Sequence, residues 1–228
     1  MDYEIDKSIY QNDFYCKEDI KDFILEGEAV ITFENNRMRM ENRLSPELGQ
    51  TSNYVFWCPI SFPDNVMYTW EFYPISEPGL AMFFFSAEGK NGEDIFDSRL
   101  IKRDGQYGQY HSSDINTLHA SYFRRKYEVE RAFHTCNLRK SCGFHLVSLG
   151  ADPIPSVCDA VYPYNIKVIK AKENVLFYVN DLLIYRFTDD NLSYGAVLSG
   201  GKAGFRQMAP LIAEYSNFKV YSLKQKRF

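Results

Sequence analysis

The sequence lacks several features that mark large classes of protein. It has no basic excess, because 30 Asp and Glu residues outnumber 26 Lys and Arg residues. This balance argues against a general nucleic-acid-binding protein. No apolar run approaches the ~18 residues that a membrane-spanning helix requires. We therefore expect neither nucleic acid nor a membrane among the partners.

Cysteine is scarce, and its spacing carries no motif. The five cysteines are scattered and no Cys-x-x-Cys pair occurs, so neither a zinc site nor a thioredoxin-like centre is expected. The first ten residues show neither the basic nor the apolar region of a signal peptide. These observations predict a cytoplasmic protein with reduced thiols.

Tyrosine and phenylalanine are abundant, with 17 Tyr and 18 Phe against 2 Trp. Aromatic residues favour strands, and short segments of strand-like alternation recur every ~8–12 residues, which is typical of a β-sandwich. We predict one all-β domain over residues 1–228, with a long loop or lid over 87–108. The predicted strands are 29–33, 37–40, 54–58, 68–73, 80–86, 164–170, 175–179, 182–187, 201–208 and 213–223.

One segment, residues 119–140, concentrates basic, aromatic and histidine residues in an otherwise mildly acidic chain. We interpret it as two neighbouring strands, in which alternate residues point to opposite faces of a sheet. The more apolar set, with Tyr122 and His134, would face the core. The opposite face would carry His119, Phe123, Arg125, Arg131, Phe133, Asn137 and Arg139. The main alternative, a helix over 122–133, would spread these residues around a cylinder.

Longer stretches of sequence indicate a family. The C-terminal strands resemble those of concanavalin-like jelly rolls, and the whole chain resembles the YesU-like family of bacterial proteins. The stretches that carry this resemblance are YVFWCP at 54–59, FPD at 62–64, residues 78–97, residues 110–155 and GFRQMAP at 204–210. The resemblance implies a concanavalin-like jelly-roll β-sandwich of two antiparallel sheets, as in lectins and glucanases. It also implies a context of pectin breakdown, especially of rhamnogalacturonan, but no established activity.

Arginines on a sheet face suit an acidic sugar, because the planar guanidinium matches a carboxylate in two-point hydrogen bonding. A polysaccharide lyase must neutralise a carboxylate, remove a proton and protonate the leaving oxygen. We therefore name His119, Arg125, Asn137 and Arg139 as catalytic candidates. The alternative is a solvated basic face with structural histidines.

Other residues are predicted to contact the sugar. Trp57 and Trp70 could stack on a sugar ring, or they could fill the core. Glu71 has no acidic neighbour at position 69 or 73, so the carboxylate pair of a glycoside hydrolase is missing from its strand. His111 could flank a cleft, although its neighbours could equally form a turn. The substrate-binding candidates are Trp57, Trp70, Glu71, His111, Phe123, Arg131, Phe133, Arg206 and Gln207.

Two functions of different classes remain open. The first is an enzyme, a polysaccharide lyase or glycoside hydrolase, that acts on an acidic oligosaccharide. The second is a non-catalytic, lectin-like carbohydrate-binding module, which explains the missing carboxylate pair equally well. An isomerase or epimerase is a weaker third, and a homodimer is a further partner to consider. No cofactor or metal site is predicted, although Glu93, Asp94 and Asp97 offer oxygen ligands of the kind that Ca²⁺ prefers.

Overall fold

Residues 3–226 are described in the computed structural model, and they form fifteen strands in two antiparallel sheets. The strands are β1 (Tyr3–Asn12), β2 (Ile24–Gly27), β3 (Ala29–Glu34), β4 (Arg37–Asn42), β5 (Tyr54–Phe62), β6 (Val66–Ser76), β7 (Leu80–Gly89), β8 (Ile115–Tyr122), β9 (Thr135–Ser141), β10 (His145–Ala151), β11 (Tyr164–Ala171), β12 (Asn174–Val179), β13 (Leu182–Thr188), β14 (Gly201–Met208) and β15 (Ile212–Gln225). The helices are α1 (Gly108–His111), α2 (Glu128–Ala132) and 3-10 turns at Lys17–Ile20, Pro46–Ser52 and Val157–Asp159. None of these helices is long and apolar enough to cross a membrane.

The strands divide between two sheets that pack face to face. The first sheet has eight strands in the order β13-β12-β11-β6-β15-β4-β3, with β1 paired to β15. The second sheet has seven strands in the order β10-β9-β8-β7-β14-β5-β2. Seven of the thirteen strand pairs within residues 3–226 join strands that are not consecutive in the chain, so the fold depends on long-range strand pairing.

Aromatic side chains fill the space between the sheets. Trp70 of β6 lies 4.4 Å from Phe83 of β7, and 5.5 Å from Phe205 of β14, measured between ring centroids. Packed sheets stand ~10 Å apart, a gap that large rings from both sides can fill. Each ring of this size stabilises the fold by roughly 1.5–3 kcal/mol through burial. The abundance of Phe and Tyr therefore has a structural explanation.

All ten predicted strands are present, and β14 has the predicted bounds. The prediction missed β1, β2 and β10, which are short or rich in polar and exposed residues. The predicted loop over 87–108 begins later, because β7 continues to Gly89, and it extends to residue 114 around α1.

The segment 119–140 combines the two interpretations considered for it. β8 ends at Tyr122 and β9 begins at Thr135, so alternation holds only within those strands. The connection between them carries α2, which is part of the helix proposed as the alternative. Phe123 has a positive φ of 46°, and its ring turns into the core to lie 5.6 Å from Phe72. The prediction that Phe123, Arg125, Arg131 and Phe133 share a sheet face is therefore wrong.

Candidate functional site

Two rows of side chains cross the outer face of the second sheet, the face turned away from the first sheet. Strand register places the members of each row side by side, and alternation points them to the same side. The first row is Asn137, Ser121, Met82, Arg206, Val55 and Glu26. The second row is Arg139, His119, Phe84, Gly204, Trp57 and Ile24.

Residues 90–114, which we call the strap, cover the half of this face that lies over β7, β14 and β5. The Tyr110 ring stacks on Phe84 with centroids 5.3 Å apart, and Phe96 meets the edge of Trp57 at 6.5 Å. Trp57 lies across β14, where a side chain at Gly204 would place its Cβ 2.6 Å from the indole. The strap thus seals an apolar cluster against the sheet.

A buried ion pair fastens the strap to the sheet edge. The Arg103 guanidinium donates to Glu26 Oε1 at 2.8 Å and to the carbonyl of Ile95 at 2.6 Å. Glu26 Oε2 accepts a hydrogen bond of 2.8 Å from the indole of Trp57. Trp57 is therefore part of this anchor and is inaccessible, so it cannot stack on a sugar as predicted.

The other half of the face is open and forms a cleft of about 300 Å³. Its floor comes from β7, β8, β9 and β14, and its walls come from the strap, the β8–β9 connection and the β9–β10 turn. The residues that line the cleft are Gln50, Leu80, Met82, Tyr107, Ser121, Arg124, Tyr127, Val129, Glu130, Asn137, Arg139, Phe144 and Met208.

Arg139 is the cation that faces the cleft without a counter-ion. Its guanidinium carbon lies 3.8 Å from the centroid of the Phe144 ring, and Nη1 donates to the Phe144 carbonyl at 2.9 Å. No carboxylate within residues 3–226 forms an ion pair with it. The stacked ring holds the guanidinium in place and leaves its charge uncompensated.

Arg124 differs from Arg139 because it is paired. It donates to Glu130 Oε1 at 2.8 Å and to Thr135 Oγ1 at 2.6 Å. Glu130 also accepts a hydrogen bond of 3.1 Å from the backbone N–H of Tyr127, the residue directly before α2. Glu130 is the only carboxylate among the described residues that line the cleft. The paired carboxylates of a glycoside hydrolase are therefore absent from the described residues that line the cleft.

Asn137 places an unpartnered acceptor at the cleft. The residue is only 4% exposed, and its side-chain oxygen has no hydrogen-bond partner. Ser121, its neighbour on β8, is also buried and lines the same floor. Because buried polar atoms are nearly always hydrogen-bonded, an unpartnered one at a cleft is a point where a ligand donor can bind.

His119 lies on the same outer face, but Tyr107 of the strap covers it and it is fully buried. Its Nδ1 is 2.8 Å from the Tyr107 hydroxyl, and its Nε2 is 2.8 Å from Ser141 Oγ. Burial, together with Arg139, holds the pKa of His119 well below its usual value, so the ring is neutral at neutral pH. The predicted catalytic residue therefore does not reach the cleft. Tyr107 of the strap lines the cleft in its place.

Arg206 is a second cation without a carboxylate partner in the described part of the chain, and it is fully buried. It donates to the carbonyl of Gly105 at 2.5 Å and to Gln50 Oε1 at 3.3 Å. Its guanidinium carbon lies 4.9 Å from the centroid of the Tyr107 ring. Arg206 thus supports the strap wall of the cleft and adds positive potential behind it.

Several other predicted ligand-binding residues have structural partners away from the cleft. Trp70 is buried between the sheets and lies 3.1 Å from the Tyr122 hydroxyl. Gln207 lies in the core, hydrogen-bonded to the hydroxyls of Tyr54 and Tyr215. Both residues point inward because alternation within β6 and β14 places them on the core face.

The remaining candidates lie elsewhere. Glu71 belongs to the first sheet, where it accepts hydrogen bonds from Ser216 and Asn217. Arg131 and Phe133 are exposed on the β8–β9 connection, outside the lining of the cleft. His111 packs on Phe144 at 4.3 Å and borders the cleft without lining it.

Arg125, a predicted catalytic residue, is a buried structural cation. It donates to Asp152 Oδ2 at 3.1 Å and to the carbonyl of Ile154 at 2.8 Å. Tyr122, which was predicted to face the core, does so, whereas His134 lies in the connection before β9 and is partly buried. Only Asn137 and Arg139 of the four catalytic candidates line the cleft.

The carboxylates of the acidic strap residues are hydrogen-bonded or paired with other side chains of the protein. Glu93 accepts from Asn91 at 2.9 Å, Asp97 pairs with Arg99 at 2.7 Å, and Asp94 pairs with Lys202 at 2.9 Å. Residues 3–226 contain no group of three His, Cys, Asp or Glu side chains that could hold a metal ion.

Of the residues that line the cleft, the sequence indicated only Asn137 and Arg139; the missed residues include four that form its walls, Tyr107, Arg124, Glu130 and Phe144. All four lie in loops, in the strap or in α2, where no strand period applies. A partial signal existed for Arg124 and Glu130, since both belong to the charged segment 119–140.

Comparison with known proteins identifies relatives across nearly the whole chain. A family model described as a domain of unknown function, DUF1961, matches residues 7–220. The uncharacterized protein YesU of Bacillus subtilis (strain 168) is 50% identical over 219 residues, which cover 96% of this chain and 97% of YesU. A crystal structure of a Bacillus subtilis protein of unknown function with a galectin-like fold has a TM-score of 0.94 and 49% identity, covering 98% of this chain and 100% of that one.

More distant structures share the fold alone. The carbohydrate recognition domain of Emp47p has a TM-score of 0.60 at 12% identity, covering 95% of this chain and 97% of that one. A prokaryotic β-1,3-1,4-glucanase (lichenase) derived from a mouse hindgut metagenome has a TM-score of 0.58 at 8% identity, with coverage of 93% and 98%. The predicted jelly-roll β-sandwich is confirmed. The predicted resemblance to YesU-like proteins is confirmed, and the chain belongs to the family described as domain of unknown function DUF1961.

Proposed function

We propose that the cleft binds an acidic, uronate-containing oligosaccharide through the carboxylate of one sugar residue. The observation that carries this proposal is the Arg139 guanidinium, held over Phe144 at the cleft with no counter-ion among the described residues. A half-buried cation of this kind is stabilised by an incoming carboxylate, and Arg presents the planar donor pair that a carboxylate matches.

The charge balance around the cleft favours the same ligand. Arg124, Arg139 and Arg206 surround it or lie behind its wall, against the single carboxylate of Glu130. Glu130 neutralises Arg124, so two positive charges remain. A hydrogen bond to a charged group contributes ~1.5–3 kcal/mol, enough to make the carboxylate the main determinant of affinity.

The rest of the lining suits a sugar ring. Asn137 offers an unpartnered acceptor and Ser121 a buried hydroxyl, which are suitable partners for sugar hydroxyl groups. Leu80, Met82 and Met208 provide an apolar area for the C–H face of a ring. The fold relatives described as a carbohydrate recognition domain and a glucanase support carbohydrate as the ligand class.

Binding without hydrolysis is the function that the residues support best. Glu130 stands alone in the described lining and is committed to Arg124 and to the start of α2. Hydrolysis of a glycoside uses two carboxyl groups on opposite sides of the scissile bond. We therefore place a lectin-like binding role ahead of a glycosidase.

A lyase is the second candidate, because of the hydrogen bond between Tyr107 and His119. Tyr107 would pass its hydroxyl proton to His119, take the C5 proton of the uronate and deliver it to the leaving sugar oxygen as the C4–O bond breaks; His119 would then return its proton to Tyr107. Arg139 would neutralise the uronate carboxylate in the same reaction. Ultraviolet absorbance of the unsaturated product, measured on acidic oligosaccharides, separates this candidate from simple binding.

A matched pair of variants tests the proposal. Arg139→Met removes the cleft cation and keeps the side-chain stem, whereas Arg186→Met makes the same charge change at an exposed position on β13. Isothermal titration with trigalacturonic acid should give ~10–100-fold weaker binding for Arg139→Met, in line with the loss of charged hydrogen bonds. Arg186→Met should bind like the parent protein. Equal affinities for the two variants would contradict the proposal.

A further inference from the structure

We infer that the cleft takes the end of an acidic sugar chain and excludes the interior of a longer chain. This inference rests on the proposed function and adds the way in which the substrate enters. It follows from the strap, which blocks the outer face of the second sheet on one side of the cleft.

An internal segment of a polysaccharide needs a groove that is open at both ends. The two rows on the second sheet would provide such a crossing from β9 to β2 if nothing covered them. The strap fills this path from β7 to β2, where Tyr110 stacks on Phe84 and Arg103 bonds to Glu26. At the boundary Tyr107 forms a wall of the cleft. A chain that runs along the rows from β9 therefore stops at Tyr107.

The strap is held firmly enough to act as a permanent wall. Its two ends meet at Asp114, whose Oδ2 accepts from the Ile101 N–H at 2.6 Å and whose carbonyl accepts from the Lys90 N–H at 3.0 Å. Lifting it would expose the cluster around Trp57 and Phe84 to water. Each large apolar side chain so exposed costs ~1.5–3 kcal/mol, so an open strap is a rare state.

The β9–β10 turn closes a further side of the cleft. The backbone N–H of Gly143 donates to the His111 carbonyl at 2.7 Å, which joins this turn to the strap. The Phe144 ring lies 5.4 Å from Tyr107, so the wall between turn and strap is continuous. The enclosed volume of about 300 Å³ is at the lower end of the ~300–1,000 Å³ found for small-molecule sites. A cleft of this size suits one or two sugar residues.

The open side of the cleft lies over β10. Register extends the two rows onto this strand, with Leu149 beside Asn137 and Leu146 beside Arg139. Both leucines are about half exposed, at 56% and 47%. A terminal uronate bound to Arg139 would thus continue outward over two apolar side chains, which can contact the C–H faces of the next sugar residues.

Chain length is the variable that tests this inference. We would titrate the protein with galacturonic acid and with its dimer, trimer and decamer, and measure affinity per molecule and stoichiometry. End binding predicts one protein per chain and equal affinity for trimer and decamer. Internal binding would give a decamer many overlapping sites, tighter binding by up to about tenfold, or ~1.4 kcal/mol, and several proteins per chain. That pattern would overturn the inference while leaving the proposed function intact.

A variant at the exit adds a second test. Leu149→Ser changes an exposed side chain outside the cleft lining, so the fold should be unaffected. It should weaken binding of the trimer several-fold and leave binding of galacturonic acid unchanged. If the variant weakened binding of both ligands equally, or of neither, the inference that the sugar chain leaves the cleft over β10 would be contradicted. If no galacturonate of any length binds, the proposed function fails together with this inference.

Discussion

Replacing Arg125 by methionine should destabilise the fold and leave the binding of acidic sugars unchanged. The Arg125 and Asp152 side chains are 1% and 0% exposed and form a buried ion pair at 3.1 Å. Arg125 also donates to the Ile154 carbonyl, so it fastens residues 152–154 to the β8–β9 connection. Methionine fills much of the same space but leaves the Asp152 carboxylate without a counter-ion.

The expected cost follows from the burial of that carboxylate. Breaking a buried ion pair by removing one partner costs ~3–5 kcal/mol. For a chain of this size each kcal/mol lowers the melting temperature by ~2–4 °C, which gives a fall of about 10 °C. The double variant Arg125→Met/Asp152→Asn should regain most of the loss, because the amide needs no counter-ion and still accepts from the Ile154 N–H.

The pH dependence gives an internal check on this prediction. Burial raises the pKa of Asp152 even though Arg125 opposes the shift. A carboxyl whose pKa is raised on folding contributes stability at low pH that is lost as pH rises through the folded pKa. Without Arg125 that pKa rises further, so the variant should be less destabilised at pH 5 than at pH 8.

Urea unfolding of the single and double variants, with parallel sugar titrations, decides the matter. A large loss of affinity with a small change in the free energy of unfolding would refute the structural role of Arg125. It would restore the catalytic role that the sequence suggested.

Two further predictions concern the buried groups behind the cleft. His119→Gln should flatten the pH dependence of stability between about pH 5 and 7. The wild-type ring is neutral when folded and takes up a proton when unfolded below its normal pKa of ~6.5, so the stability of the wild-type protein should rise with pH by up to ~1.4 kcal/mol per pH unit. An unchanged slope for the variant in urea unfolding would contradict the neutral state of His119. Glu26→Gln should loosen the strap, because it weakens the hydrogen bonds to Arg103 and Trp57. Amide hydrogen exchange in residues 90–114 should become faster, and Trp fluorescence should be quenched more strongly. Unchanged exchange would show that the apolar cluster alone holds the strap.

The strands were predictable because their determinants are local. Alternating or continuous apolar runs of sufficient length identified ten strands, among them β14 with its full bounds. The missed strands are stabilised by long-range pairing, as β1 is by β15 across the length of the chain. Their sequences carry little apolar periodicity, since β10 exposes Leu146 and Leu149.

The site was predictable only where it lies on strands. Asn137 and Arg139 were assigned to the outer face by alternation within β9, and they line the cleft. Alternation carried past the end of β8 misplaced Arg125, whose partner Asp152 is 27 residues away. Tyr107 belongs to the strap, whose path depends on packing against Trp57 and Phe84. No local pattern in the sequence specifies such contacts.

The central claim, that the cleft recognises a carboxylate, is tested most directly by comparing galacturonic acid with its methyl ester. The two ligands share the sugar ring and hydroxyl groups, and they differ in the charge that Arg139 would bind. The account predicts ~10–100-fold weaker binding of the ester by isothermal titration, the loss of one or more charged hydrogen bonds. Equal affinities for acid and ester would contradict it.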